Sequence, residues 1–183
     1  MPQLNKGGKF VFGLSIISNE NKIRFPAEAL LQYPVHEEKR IIIMTGSKKT
    51  GGFCVTSKQL LLKSRLKHIL DECLELSEYE LKEGEFIRYK GRGYAWVSIT
   101  ATGVIALTEE TMKYLNLAAG DALMAIKSSN IAFTMGAKGP LMAKVHAYSG
   151  YIQEYRVAGD RKEGQFTHFS QFYPLLNTFY AYS

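Results

Sequence analysis

The chain has 183 residues, 46% hydrophobic and 22% charged, with a formal net charge of +6. That length holds one good-sized core or two small ones, burying roughly two-thirds of the unfolded surface, and the composition is that expected of an ordinary soluble protein. No apolar run approaches the roughly 20 residues of a bilayer-spanning helix, and MPQLNKGGKF has no signal-peptide apolar core, so a cytoplasmic protein without a membrane partner is expected.

The charge is unevenly spread. Residues 1–60 carry nine Lys/Arg against four Asp/Glu, residues 61–90 six against seven, and residues 91–140 and 141–183 four against three each. The surplus therefore sits in the first third, and a positive surface of this kind attracts phosphate backbones through counterion release. Cys54 and Cys73 have no metal-ligand spacing and read as reduced, buried small hydrophobes.

In chain order, Asn19-Glu20-Asn21 reads as a turn leading into a strand. On that strand Lys22 and Arg24 share one face while Ile23 and Phe25 share the other. The glycine-rich loop Thr45–Gly52 (TGSKKTGG) adds Lys48 and Lys49, where lysines and backbone amides can reach a phosphate. The same four cations also fit solvating charges on an edge and a hairpin tip. Thr56 with Gln59 reads as a capping box, and Leu62, Leu66, Ile69 or Leu70, and Cys73 recur at helical spacing, so an amphipathic helix is predicted from Ser57 to about Leu76.

Arg88 to Tyr94 (RYKGRGY) interleaves cations, aromatics and glycines. Lys90 and Arg92 suit phosphates and a tyrosine face suits a base; equally, the run suits a hairpin with Gly91 and Gly93 in its turn and the tyrosines packed on a sheet. Ile99–Ala125 follows as strand, turn, strand, short helix, turn, strand. Gly103 and Gly120-Asp121 supply the turns, Thr108 the N-cap, and Glu109 and Glu110 the acidic first turn. Gly136–Pro140 reads as a linker and Leu141–Val157 as strand-like. Ten of the 22 aromatic residues lie in the last 36 positions: Tyr148, Tyr151, Tyr155, Phe166, Phe169, Phe172, Tyr173, Phe179, Tyr180 and Tyr182. That much aromatic area calls for a covering role, an oligomer contact or a tyrosine-lined pocket.

Sliding the chain by 82 positions sets Ile17 on Ile99, Ile23 on Ile105, Phe25 on Leu107, Leu30 on Met112, Tyr33 on Leu115, Val35 on Leu117 and Ile41 on Leu123. After Ile43 the register slips by four, because TGSKKTGG is longer than its counterpart KSSN. These matches define two copies of one module.

An apolar strand, a Gly-Arg turn, an Ile-Pro step, a short helix and Leu-x-Gly-Asp-x-Leu form the pattern of AbrB-like swapped-hairpin domains, the group including AbrB, SpoVT and the MazE antitoxins, and both copies resemble it in part. The second copy carries it through Thr102-Gly103, Leu107, Leu115, Leu117, Gly120-Asp121 and Leu123, the first through Lys22, Ile23, Phe25-Pro26, Leu30 and Val35. A double copy with a helix after Phe53–Thr56 is also similar to the MraZ regulators. The chain departs from the pattern where Asn21-Lys22 and Gly103-Val104 stand at the Gly-Arg position, Thr108 replaces the proline of the second copy, and Glu38-Lys39 replaces the Gly-Asp turn of the first.

The resemblance implies a mainly β fold in which two swapped-hairpin halves, normally from two chains, form a pseudo-dimeric barrel within one. The expected segments are a first module at 10–56, a connecting helix at 57–82, a second module at 83–138 and an aromatic extension at 139–183. It further implies a DNA-binding transcriptional regulator whose phosphate contacts come from Lys22, Arg24, Lys48 and Lys49, with Lys90 and Arg92 beside them, and a homo-oligomer. The rival reading is a non-enzymatic assembly module working through the aromatic tail.

No catalytic motif is present. His36, His68, His146 and His168 are scattered, and neither Asp160 with His168 nor Cys73 near His68 has a third group to complete a constellation. No enzyme, cofactor or metal is expected.

Overall fold

A computed structural model describes residues 10–159. In order they form β1 (Val11–Ile16), β2 (Lys22–Arg24), α1 (Ala27–Gln32), a 3-10 turn (Val35–Glu38), β3 (Arg40–Thr45), β4 (Phe53–Thr56) and the helices α2 (Lys58–Leu62), α3 (His68–Glu72) and α4 (Leu74–Ser77). Then come β5 (Ile87–Tyr89), β6 (Arg92–Ser98), β7 (Val104–Ala106), α5 (Glu109–Leu115), β8 (Ala122–Lys127), β9 (Phe133–Gly136), α6 (Pro140–Ala147) and β10 (Glu154–Tyr155). The protein is mainly β with short helices.

Eight strands make one mixed sheet in the order β10-β1-β8-β9-β4-β3-β6-β5, in which only β10 and β1 run parallel. The expected closed barrel is not found among the described residues: the order has two ends, β10 and β5, and β2 pairs only with β7 in a separate ribbon. The three-residue strands β2 and β7 are tied to the neighbouring backbone by the isolated Ile99–Ile105 bridge and by Ser18 N–H and Thr100 N–H, which donate to the Lys22 and Val104 carbonyls, both at 2.9 Å.

The internal repeat reappears in the pairing. β2 and β7 are 82 positions apart residue for residue, as are β3 and β8, and Ile23 stands opposite Ile105, its own counterpart. β1 pairs with β8 and β6 with β3, so each repeat gives its first strand to the other repeat's third. The registers correspond: Leu14 faces Met124 and Ile42 faces Trp96. β4 and β9 pair across the middle, with Cys54 opposite Thr134. Because Phe53 stands 80 positions before Phe133, the register slips by two and not by the four expected; the shorter loop takes in Ile131 and Ala132 as well as KSSN.

Side-chain alternation then sorts the layers. Ile41, Ile43, Phe53, Val55, Phe133 and Met135 turn to one face, where the ribbon and helices α1 and α5 close over the main core with Ile23, Phe25, Ile105 and Met112. Of the fourteen residues matched by the offset, all but Leu30 are buried. On the opposite face Ile42, Met44 and Tyr94 pack under α2–α4, and Val11, Met124 and Ile126 pack under Met142 and Val145 of α6.

Three local expectations change. The helix foreseen from Ser57 to Leu76 is three short pieces: the Ser64 hydroxyl donates to the Leu61 carbonyl at 2.9 Å and accepts from Leu66 N–H at 3.0 Å, offering the backbone an alternative to continuing α2. Its cap is Ser57, whose hydroxyl accepts from Leu60 N–H, while the Thr56 hydroxyl donates across the sheet to the Ile131 carbonyl at 2.7 Å. Leu141–Val157 opens as helix up to Ala147, since Pro140 at the first helical position is pre-set for α6, and only Glu154–Tyr155 is strand. Tyr148 and Tyr151 are exposed, whereas Tyr155 is half-buried. Phe166, Phe169, Phe172, Tyr173, Phe179, Tyr180 and Tyr182, with Asp160 and His168, lie outside the described residues.

Thr108 caps α5 as expected, accepting from Thr111 N–H at 3.1 Å, and Gly103 and Gly120 occupy their turns at φ +77° and +88°. The β3–β4 loop closes through Gly52, at φ +62°, where a Cβ would lie 1.9 Å from the Met135 carbonyl oxygen. Gly52→Ala is therefore expected to cost at least about 2 kcal/mol in urea unfolding, combining left-handed strain with a backbone clash.

Candidate nucleic-acid interface

The six cations proposed from sequence divide between two sides of the sheet. On β2, Ile23 is buried while Lys22 and Arg24 face outward from the ribbon, as the alternation requires. The Lys22 ammonium is held by the Glu20 carboxylate, and this hydrogen bond keeps the Glu20 carboxyl below its ordinary range. Lys22 is thus already partly neutralised, and Arg24 stands near Tyr155.

Lys48 and Lys49 lie exposed on the β3–β4 loop at one end of the sheet's opposite face. The loop has a defined shape: Gly51 N–H donates to the Ser47 carbonyl at 2.8 Å, and the Ser47 and Thr50 hydroxyls meet at 2.9 Å. The Gly136–Pro140 segment is docked rather than free as a linker would be. The Thr50 carbonyl accepts from Ala137 N–H and Lys138 N–H, both at 3.0 Å, which brings Lys138 against the loop.

Lys90 and Arg92 arrive at the same end because β6 pairs with β3, and Gly93 N–H donates to the Thr45 hydroxyl at 3.0 Å. The β5–β6 turn is Lys90-Gly91 alone, with φ +46° and +80°, the mirror-image geometry that fits strand twist. Gly93 belongs to β6, opposite Arg88, not to the turn. The tyrosines are engaged: Tyr94 is buried, which pushes its phenol up, and Tyr89 is half-buried beside His68 with the Lys90 ammonium 5.2 Å from its ring centre. Base stacking on Tyr94 is therefore excluded.

Between the loop, Arg92 and the start of α6 lies a groove of about 590 Å³ crossing the β4–β9 pair. Lys49, Arg92 and Lys138 line it with the hydroxyls of Ser47, Thr50 and Thr134, and no carboxylate does. Among the described residues, none of these three cations is in an ion pair. At its middle Cys54 Sγ and Thr134 Oγ1 stand 3.4 Å apart, and both cysteines are free. Cys73 is buried, which raises its thiol above the ordinary value, with Glu72 and Glu75 acting in the same direction.

Lys138 escaped sequence reasoning, yet a signal existed. Residues 39–70, 86–108 and 122–153 contain no Asp or Glu, and the whole lining of the groove comes from these three stretches. Among the described residues no group of three His, Cys, Asp or Glu side chains could hold a metal ion, and no helix is long and apolar enough to cross a membrane. No protein-family model matches the chain, and no curated protein does.

Proposed function

We propose that this chain is a DNA-binding transcriptional regulator of the AbrB-like type, in which two swapped-hairpin halves act as an intrachain pseudo-dimer. The observation that carries the DNA-binding reading is the convergence of Lys48, Lys49, Lys90, Arg92 and Lys138 at one end of the sheet, around a groove without a carboxylate. Such a surface meets a phosphate backbone with little opposing charge, and five contacts suit sequence-independent anchoring. The exchange of strands between repeats, with corresponding registers, supports the pseudo-dimer; regulation of transcription rests on the resemblance to AbrB-like domains. Lys22 and Arg24 lie on the other side of the sheet and are assigned no part in this contact.

The direct test is fluorescence anisotropy with a mixed-sequence duplex at two salt concentrations. Binding that weakens steeply with salt is expected, and no binding at low salt would sink the reading. The side of contact has its own test. Glu20→Gln frees Lys22, yet duplex affinity is expected to stay within about twofold, because the freed ammonium faces away from the bound phosphates. A clear gain in affinity would move the interface to the β2–β7 ribbon.

A further inference from the structure

A phosphate backbone accounts for the rim of the groove but not for its floor. Below the cations lie partly exposed apolar side chains, Leu66, Ile131 and Leu141 among them, drawn from the α2–α3 connection, the β8–β9 loop and α6, with the buried Ile126 beneath them. Leu66 and Leu141 remain half-exposed although neighbouring residues on both helical covers are buried. A duplex, whose bases are stacked inside and whose exterior is charged, does not enter such a recess. Its size falls within the range of small-ligand sites, which combine an apolar lining with a few convergent polar groups.

We propose that the groove binds a soluble organic phosphate carrying a single apolar chain. The headgroup sits among Arg92, Lys49 and Lys138, the guanidinium offering its planar pair of N–H donors and the two ammoniums single charges. The chain lies along the β4–β9 pair over Ile126 and Leu141 towards Leu66. Charge complementarity selects this occupant: three cations with no ion-pair partner among the described residues and no carboxylate in the lining reject a cation, and the apolar floor gains nothing from an inorganic ion. The pairing of head and tail is also what separates this site from duplex anchoring, since Lys48 and Lys90 do not line the groove. The inference does not rest on the DNA-binding reading.

The probe is octyl phosphate, titrated calorimetrically into the full chain alongside inorganic phosphate and octanol. Octyl phosphate is expected to bind at least about tenfold tighter than either, given the apolar area its chain buries. Arg92→Gln combined with Lys138→Gln is expected to weaken it at least about tenfold, with circular dichroism and melting unchanged. Leu141→Asn is expected to weaken octyl phosphate while leaving inorganic phosphate unaffected. Equal affinity for inorganic and octyl phosphate, no octyl phosphate binding at millimolar concentration, or binding indifferent to the paired substitution would each overturn the proposal. Sedimentation with phosphatidylglycerol vesicles separates the lipid surface as a source: sedimentation abolished by the paired substitution would replace the soluble ligand with a membrane headgroup and overturn the assignment. Duplex anisotropy on the same preparations keeps the two readings apart. Octyl phosphate binding without duplex binding retains this site and sinks the regulator; the reverse sinks only this site.

Discussion

Replacing Lys48, Lys49, Lys90 and Arg92 together by alanine is expected to weaken binding to a mixed-sequence duplex by about a thousandfold near 0.1 M salt. The magnitude follows from counterion release, in which each phosphate contact contributes a slope of roughly 0.9 in log affinity against log salt. Four lost contacts lower that slope by about 3 to 4 and remove a comparable number of decades of affinity at that ionic strength. All four residues are exposed and make no ion pair among the described residues, so their loss is not expected to unfold the chain. The control is Lys22→Ala with Arg24→Ala, which lowers net charge by two but acts on the ribbon. Its slope is expected to stay close to that of the parent. A quadruple variant with an unchanged slope would end the assignment of this surface to DNA, whatever happened to overall affinity.

Phe133→Ala is expected to cost about 3 to 5 kcal/mol, read as a lowered midpoint in urea at unchanged slope. Phe133 is fully buried, and its ring meets Phe25 at 5.4 Å, Tyr33 at 5.5 Å and Phe12 at 6.4 Å between centroids. Removing it takes out a large apolar volume and three ring contacts where the two repeats meet, since β9 pairs with both β8 and β4. Such a loss is a large share of the roughly 5 to 15 kcal/mol that holds a typical domain. Phe53 is its repeat counterpart and is equally buried, yet among the described residues no ring pair involves it, so Phe53→Ala is expected to cost less. Equal losses would show that buried volume alone, and not the aromatic cluster, sets the stability of this centre.

Much of the fold was legible before any coordinates. The alternation around Ile23 and Ile105 and the Thr108 cap each report a local rule, because strand faces and helix ends are set by neighbours a few residues away. The apolar residues from Leu141 onward suit a strand, but Pro140 after Gly139 is the stronger local signal and starts a helix that runs to Ala147. The broken helix after Ser57 has a similar origin. The apolar spacing was right, and Ile69, Leu70 and Cys73 are buried, but one serine bonding back to the backbone interrupts the hydrogen-bond ladder without disturbing the period.

The candidate site was legible only in parts. Lys49 and Arg92 were found as cations in glycine-rich contexts, but 43 positions separate them, and nothing local states that β3 and β6 are neighbours. Lys22 and Arg24 were grouped with them by charge and are divided from them by the sheet, because alternation says which residues share a face without saying what covers it. From residue order alone came two similar strand-helix-strand segments, their inward residues, their turns and a basic first third, all fixed by periodicity and capping within a few residues. The folded chain settled that each segment lends its first strand to the other, that the sheet stays open, and that acid-free stretches far apart in sequence meet around one groove. Backbone hydrogen bonds made those choices, and since every residue but proline offers the same donor and acceptor, long-range pairing leaves little mark on the side chains.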